Sequence, residues 1–152
     1  MEKSMRVCLL LISLIFGLSL AKADNECSFF PTDEGERKEY TSTIQFNRNT
    51  LSGICIVKKE ENKYIGTFIN EFGIKAFDFI YDHRKKSVKI LNTIEFINKW
   101  YIKRVIKKDL KFLFTNKQNF KKRKREIEYN DSCAILTNNK YNIQYSFTPL
   151  IK

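Results

Sequence analysis

From Tyr40 onward the chain alternates apolar and polar positions with a period of two, the signature of half-buried β-strands. Tyr40, Ser42, Ile44 and Phe46 stand against Thr41, Thr43 and Gln45. Asn47-Arg48-Asn49 then supplies residues that tolerate the left-handed backbone of a tight turn. Three more strand-like runs follow, Thr50–Lys58, Tyr64–Asn70 and Ile74–Tyr81. Gly53 and Gly66 mark places for a bend or bulge. In the last of these runs Phe77, Phe79 and Tyr81 are predicted opposite Ile74, Ala76 and Ile80. Large apolar groups fall on both faces, so the pattern predicts that something covers much of the second face. Asp82–Lys86 is a polar loop and Ser87–Leu91 a further short strand.

The period then changes. From Asn98 to Phe114 the apolar residues Tyr101, Ile102, Val105, Ile106, Leu110, Leu113 and Phe114 recur at three- and four-residue spacing. Lys99, Lys103, Arg104, Lys107, Lys108 and Lys111 fill the other side, which makes this an amphipathic helix. Asn92 or Thr93 is a candidate cap for a short preceding turn with Ile94, Phe96 and Ile97. Glu126–Tyr129, Cys133–Thr137 and Tyr141–Phe147 return to the strand pattern. The predicted fold is α+β: a curved antiparallel sheet, half-barrel-like and of about seven strands, crossed on its concave face by the helix at 98–114.

The first residues follow a different logic. Met1–Arg6 is a short basic region and Val7–Leu20 an apolar run of fourteen residues, short for a membrane span. Ala21-Lys22-Ala23 provides a small-x-small cleavage pattern. Residues 1–23 are therefore expected to be a signal peptide, 24–39 an acidic tether with Phe29-Phe30 docking on the domain, and 40–150 a single domain. Cys27 follows Asp24-Asn25-Glu26 rather than a small-residue box, which argues against a lipid-anchored start. Export would favour disulfides, and Cys27 and Cys133 are candidates to staple the two ends of the domain. Closing so long a loop is worth roughly 4–5 kcal/mol in the chain-entropy account. Cys55 lies within an apolar strand and reads as a small core residue.

Charge is unevenly placed. The net charge is +11, and residues 99–125 alone hold twelve Lys or Arg against Asp109. Everything outside that stretch sums to zero, while 24–39 holds six acids. The densest run is Lys121-Lys122-Arg123-Lys124-Arg125, a candidate surface for anionic headgroups, a membrane surface or an acidic partner. Export removes most nucleic-acid partners, so none is expected. The bland alternative is a solvated helix face and a run that adds solubility.

Catalytic chemistry finds little support. His83, the single histidine, sits in a polar turn with no sign of the oriented base that a nucleophile requires. Isolated cysteines and one histidine match no short-spaced zinc pattern, so no metal or cofactor is expected. Asp78, between Phe77 and Phe79, is the one carboxylate whose surroundings would raise its pKa. Hydrogen bonding to backbone or a nearby lysine is its plainer role.

Leu51-Ser52-Gly53-Ile54, the strand Tyr64–Phe68, and Asn70-Glu71-Phe72-Gly73-Ile74-Lys75-Ala76-Phe77-Asp78-Phe79 resemble the LolA/LolB-like superfamily of periplasmic lipoprotein carriers and outer-membrane receptors. An EFG–FDF core with Lys108-Asp109-Leu110 at a helix end also resembles small exported proteins and lipoproteins of Bacteroidetes. The resemblance spans roughly residues 40–115. It implies a protein of the periplasm or outer membrane that binds a lipid or lipoprotein acyl chain between sheet and helix; a monomer is expected, and, with one loop histidine and scattered acids, a non-enzymatic one. Phe68, Phe77, Phe79, Ile102 and Ile106 are the expected lining. The alternative is a cell-envelope interaction module with a closed core, its basic face binding an acidic protein or polysaccharide.

Overall fold

A computed structural model of the chain describes residues 28–130 and 132–150. The expected signal peptide and Cys27, hence the Cys27–Cys133 pairing, lie outside the described residues; Cys133 itself is half-buried.

Among the described residues, nine antiparallel strands and one helix build the fold. The strands are β1 (Arg37–Phe46), β2 (Asn49–Glu60), β3 (Lys63–Asn70), β4 (Lys75–Asp82), β5 (Ser87–Leu91), β6 (Phe120–Lys122), β7 (Arg125–Tyr129), β8 (Ala134–Asn138) and β9 (Ile143–Pro149), and α1 (Trp100–Thr115) joins β5 to β6. The spatial order is β5-β4-β3-β2-β1-β9-β8-β7-β6. The sheet is open, with β5 and β6 as its edges. This is the expected α+β arrangement, with nine strands rather than about seven. The least legible of them is β6, whose three residues are all exposed and carry no alternation.

Every connection is a hairpin except the crossover through α1. Long β1 and β2 pair over their whole length, from Arg37 opposite Lys58 to Phe46 opposite Asn49. The chain then winds outward to β5, returns through α1, and meanders back until β9 pairs with the other side of β1. Asn47, Glu61, Lys86, Asn92, Arg123 and Asn142 adopt positive φ, the backbone that tight turns between twisted strands require.

One face of the sheet carries the core. Tyr40, Cys55, Phe68 and Phe77 form a row across β1 to β4. Ile127, Leu136, Tyr145 and Ile44 form another across β7, β8, β9 and β1. The helix lays Ile106, Leu110, Leu113 and Phe114 onto this face. Phe114 is the hub, with ring centroids 5.0 Å from Phe30, 5.3 Å from Tyr64, 5.5 Å from Phe79 and 5.4 Å from Tyr81.

Three expectations are corrected. Ile74 does not stand on β4 opposite Phe77; it is exposed in the β3–β4 turn, and Ala76 and Phe77 are both buried beside a register irregularity at Phe68/Ile69. The outer face is not covered throughout: Ile54 and Ile65 remain 41% and 36% exposed. Those isoleucines satisfy the β-propensity of branched side chains without being core. Finally, the described part of the acidic segment, residues 28–39, is fastened to the domain beyond the expected docking of Phe29-Phe30. Arg37–Glu39 already belong to β1, Phe30 is buried, and the Tyr40 and Tyr64 hydroxyls donate to the carbonyls of Phe29 (2.7 Å) and Pro31 (3.1 Å).

Gly66 is required by close approach rather than by curvature alone. It pairs directly with Phe79, whose ring lies over it; a Cβ would come within 2.1 Å of Cζ. The ring occupies the space a side chain would need, which closes the core beneath the helix.

Candidate functional site

The β1–β2, β6–β7 and β8–β9 turns and the exit from β5 all lie at one end of the sheet, where α1 begins. Strand direction alone puts them there, because consecutive strands alternate. Between the first half of α1 and this end of the sheet runs a groove of about 460 Å³, within the usual range for ligand sites. Ile102, Val105 and Ile106 form its helical wall, with Phe46 and Ile143 opposite, and Phe96, Trp100, Tyr101 and Tyr141 at its edges. Trp100 is 71% exposed. Phe96 reaches Phe46 edge-on at 6.2 Å.

Among the described residues, the charged ones of the groove are Arg104, Lys108, Arg125 and Lys140, and no carboxylate lines it. Lys140 Nζ stands 5.0 Å from the centre of the Tyr141 ring, a cation–π distance.

Beside the groove lies a polar cluster that the sequence pattern conceals. Asp109 is fully buried on the sheet side of α1. Its Oδ1 accepts from Arg125 Nε (2.6 Å), its Oδ2 from the Tyr145 hydroxyl (2.8 Å), and Asn138 Nδ2 donates to both oxygens (2.9 and 3.0 Å). Adjacent strands supply these three donors: Arg125 pairs with Asn138, Asn138 pairs with Ile143, and Tyr145 lies two residues further along β9. Burial, then the Asp109 charge and hydrogen bond, hold the Tyr145 phenol far above its ordinary pKa. Tyr145 is therefore a permanent donor.

Of the residues expected to line a ligand site, Ile102 and Ile106 lie in the wall of this groove. Phe68, Phe77 and Phe79 do not; they are packed in the core, with Phe68 and Phe77 stacked at 5.6 Å. The basic run is also divided. It forms the β6–β7 hairpin, with Arg123-Lys124 as its turn. Lys121 pairs with Glu126 at 2.8 Å, which raises its pKa, and Arg125 belongs to Asp109. Lys122, Arg123 and Lys124 stay exposed.

The two residues weighed for catalysis lie elsewhere. Asp78 accepts from Asn92 Nδ2 (2.7 Å) and Lys75 Nζ (3.2 Å). Burial pushes its pKa up, but these hydrogen bonds outweigh it and the net shift is downward. His83 packs between Tyr64 (4.5 Å) and Tyr81 (4.8 Å), and burial, aided by Lys59 and Lys117, lowers its pKa. Neither touches the groove. No protein-family model and no curated protein matches the chain.

Proposed function

We propose that the protein is an exported, non-enzymatic carrier that holds the acyl chain of a lipid or lipoprotein in the groove beneath the first half of α1. The observation that carries this is the groove itself: an aromatic and aliphatic trough at the helix–sheet mouth, whose charged lining among the described residues is cationic throughout. An apolar chain entering it would gain about 0.8 kcal/mol per buried methylene. The basic start, apolar run and small-x-small pattern of residues 1–23 support passage into the cell envelope, as does the resemblance to the LolA/LolB-like superfamily. A lipid partner there agrees with exposed Lys122, Arg123 and Lys124 next to the groove.

The test is titration of the purified protein with dansyl-undecanoate. Ile102→Asp places a charge in the wall at a half-buried position, so the core stays packed. Saturable binding by the wild type and at least about a tenfold loss in the variant, with unchanged circular dichroism, are expected. Equal affinity in a folded variant refutes the groove.

The closed packing of Phe68, Phe77 and Phe79 favours a second function, an envelope module whose basic face binds an acidic protein or polysaccharide. Binding of that kind fades steeply with salt, because exposed charges are screened over about 8 Å at physiological ionic strength. Acyl-chain binding persists.

A further inference from the structure

We infer that the groove contains a dedicated anion subsite at Arg125, and that its ligand is a single-chain amphiphile with a carboxylate or phosphate head. This rests on the carrier function above and adds to it the chemistry of the head.

Arg125 is the one groove cation whose orientation is fixed. Asp109 takes its Nε, and among the described residues no hydrogen bond engages its terminal nitrogens. Those two nitrogens are the fork that binds carboxylate and phosphate oxygens. Asp109 cannot swing toward the groove to compete, because Asn138 and Tyr145 occupy its oxygens from the sheet. The cluster thus orients a guanidinium with a carboxylate kept out of the groove lining.

The Asp109 charge offsets that of Arg125, so attraction must come from elsewhere. Arg104 and Lys108 from successive turns of α1, and Lys140 from the β8–β9 turn, supply it. None of the three makes a salt bridge among the described residues. Three cations without a salt bridge among the described residues, one of them over the Tyr141 ring, surround one oriented guanidinium, more positive charge than a neutral ligand needs. A packed wall needs none at all. The apolar wall of Ile102, Val105 and Ile106 runs alongside, which places a chain next to the head.

Competition against dansyl-undecanoate by palmitate, palmitoyl lysophosphatidate and hexadecanol separates head from chain. The anionic ligands are expected to bind about tenfold or more tighter than the alcohol. In the double variant Arg104→Gln/Lys140→Gln, both exposed positions, that preference should collapse while hexadecanol binds as before. Arg125→Lys keeps the charge and loses the fork, so it too should narrow the preference.

A preference for palmitate alone assigns a carboxylate head, and one for lysophosphatidate alone a phosphate head. Equal affinity for acid and alcohol overturns the subsite and leaves the carrier function standing. So does an anion preference that survives Arg125→Lys unchanged. Failure of all three ligands to bind removes both.

Discussion

Asp109 has two roles that the linear sequence disguises. Between Lys108 and Leu110, in a stretch of twelve cations, it looks like one more surface charge. Its helical phase places it with Ile106, Leu110 and Leu113 against the sheet. A carboxylate there is tolerable only when every lone pair is engaged, and Arg125, Asn138 and Tyr145 together meet that condition. Asp109→Ala leaves a guanidinium, an amide and a phenol facing an empty pocket. We expect a loss of about 3–5 kcal/mol in unfolding free energy, read from urea denaturation. Changing Glu126, whose partner Lys121 is 65% exposed, should cost less than about 1 kcal/mol.

At the scale of elements, legibility followed periodicity. The helix announces itself through seven apolar residues at three- and four-residue spacing, and the structure begins it at Trp100 and ends it at Thr115. Strands with clean alternation, such as β1 and β9, are equally plain. Two elements were not. β6 has no buried residue to create a pattern, and its place is set by pairing with Arg125–Ile127. The segment before β1 is acidic enough to suggest a tether; its Phe29-Phe30 pair could be marked for docking, but not the depth at which Phe30 is buried. Phe30 sits against Phe114 and Tyr64. Phe30→Ala should therefore destabilise by about 3–5 kcal/mol, whereas a tether would lose almost nothing; thermal or urea unfolding decides. The groove was half legible. Ile102 and Ile106 share a helical face that sequence can show, but Phe46, Arg125 and Tyr141 reach them only through the β1–β9–β8–β7 order.

For the molecule as a whole, several phenols are buried in the core or packed against it, and this sets how it responds to alkali. Tyr40, Tyr64, Tyr129 and Tyr145 have raised pKa values, in each case chiefly because burial disfavours the phenolate. Burial also pushes the Cys55 thiol up to about 12. In an unfolded chain phenols ionise near pH 10 and a thiol near pH 8.5, approximately. A group whose folded pKa lies above its unfolded value favours folding fully below the unfolded pKa, and that contribution is lost as pH rises toward the folded one. All five groups act in the same direction, so stability should fall from about pH 9 upward and more steeply above about pH 10. The four hydroxyls also hold structure: Tyr40 and Tyr64 fasten Phe29–Pro31, Tyr129 donates to the Asn116 carbonyl at 2.8 Å, and Tyr145 secures Asp109. Ionising any of them removes a donor as well as burying a charge. Absorbance of phenolate and far-ultraviolet circular dichroism, followed together to pH 13, test this. These four tyrosines should ionise only as the secondary structure is lost, and Cys55 should resist a thiol reagent until the same point. Full phenolate formation in a chain that keeps its circular dichroism would show that the core admits water around these rings, and would exclude the sealed packing under Phe114.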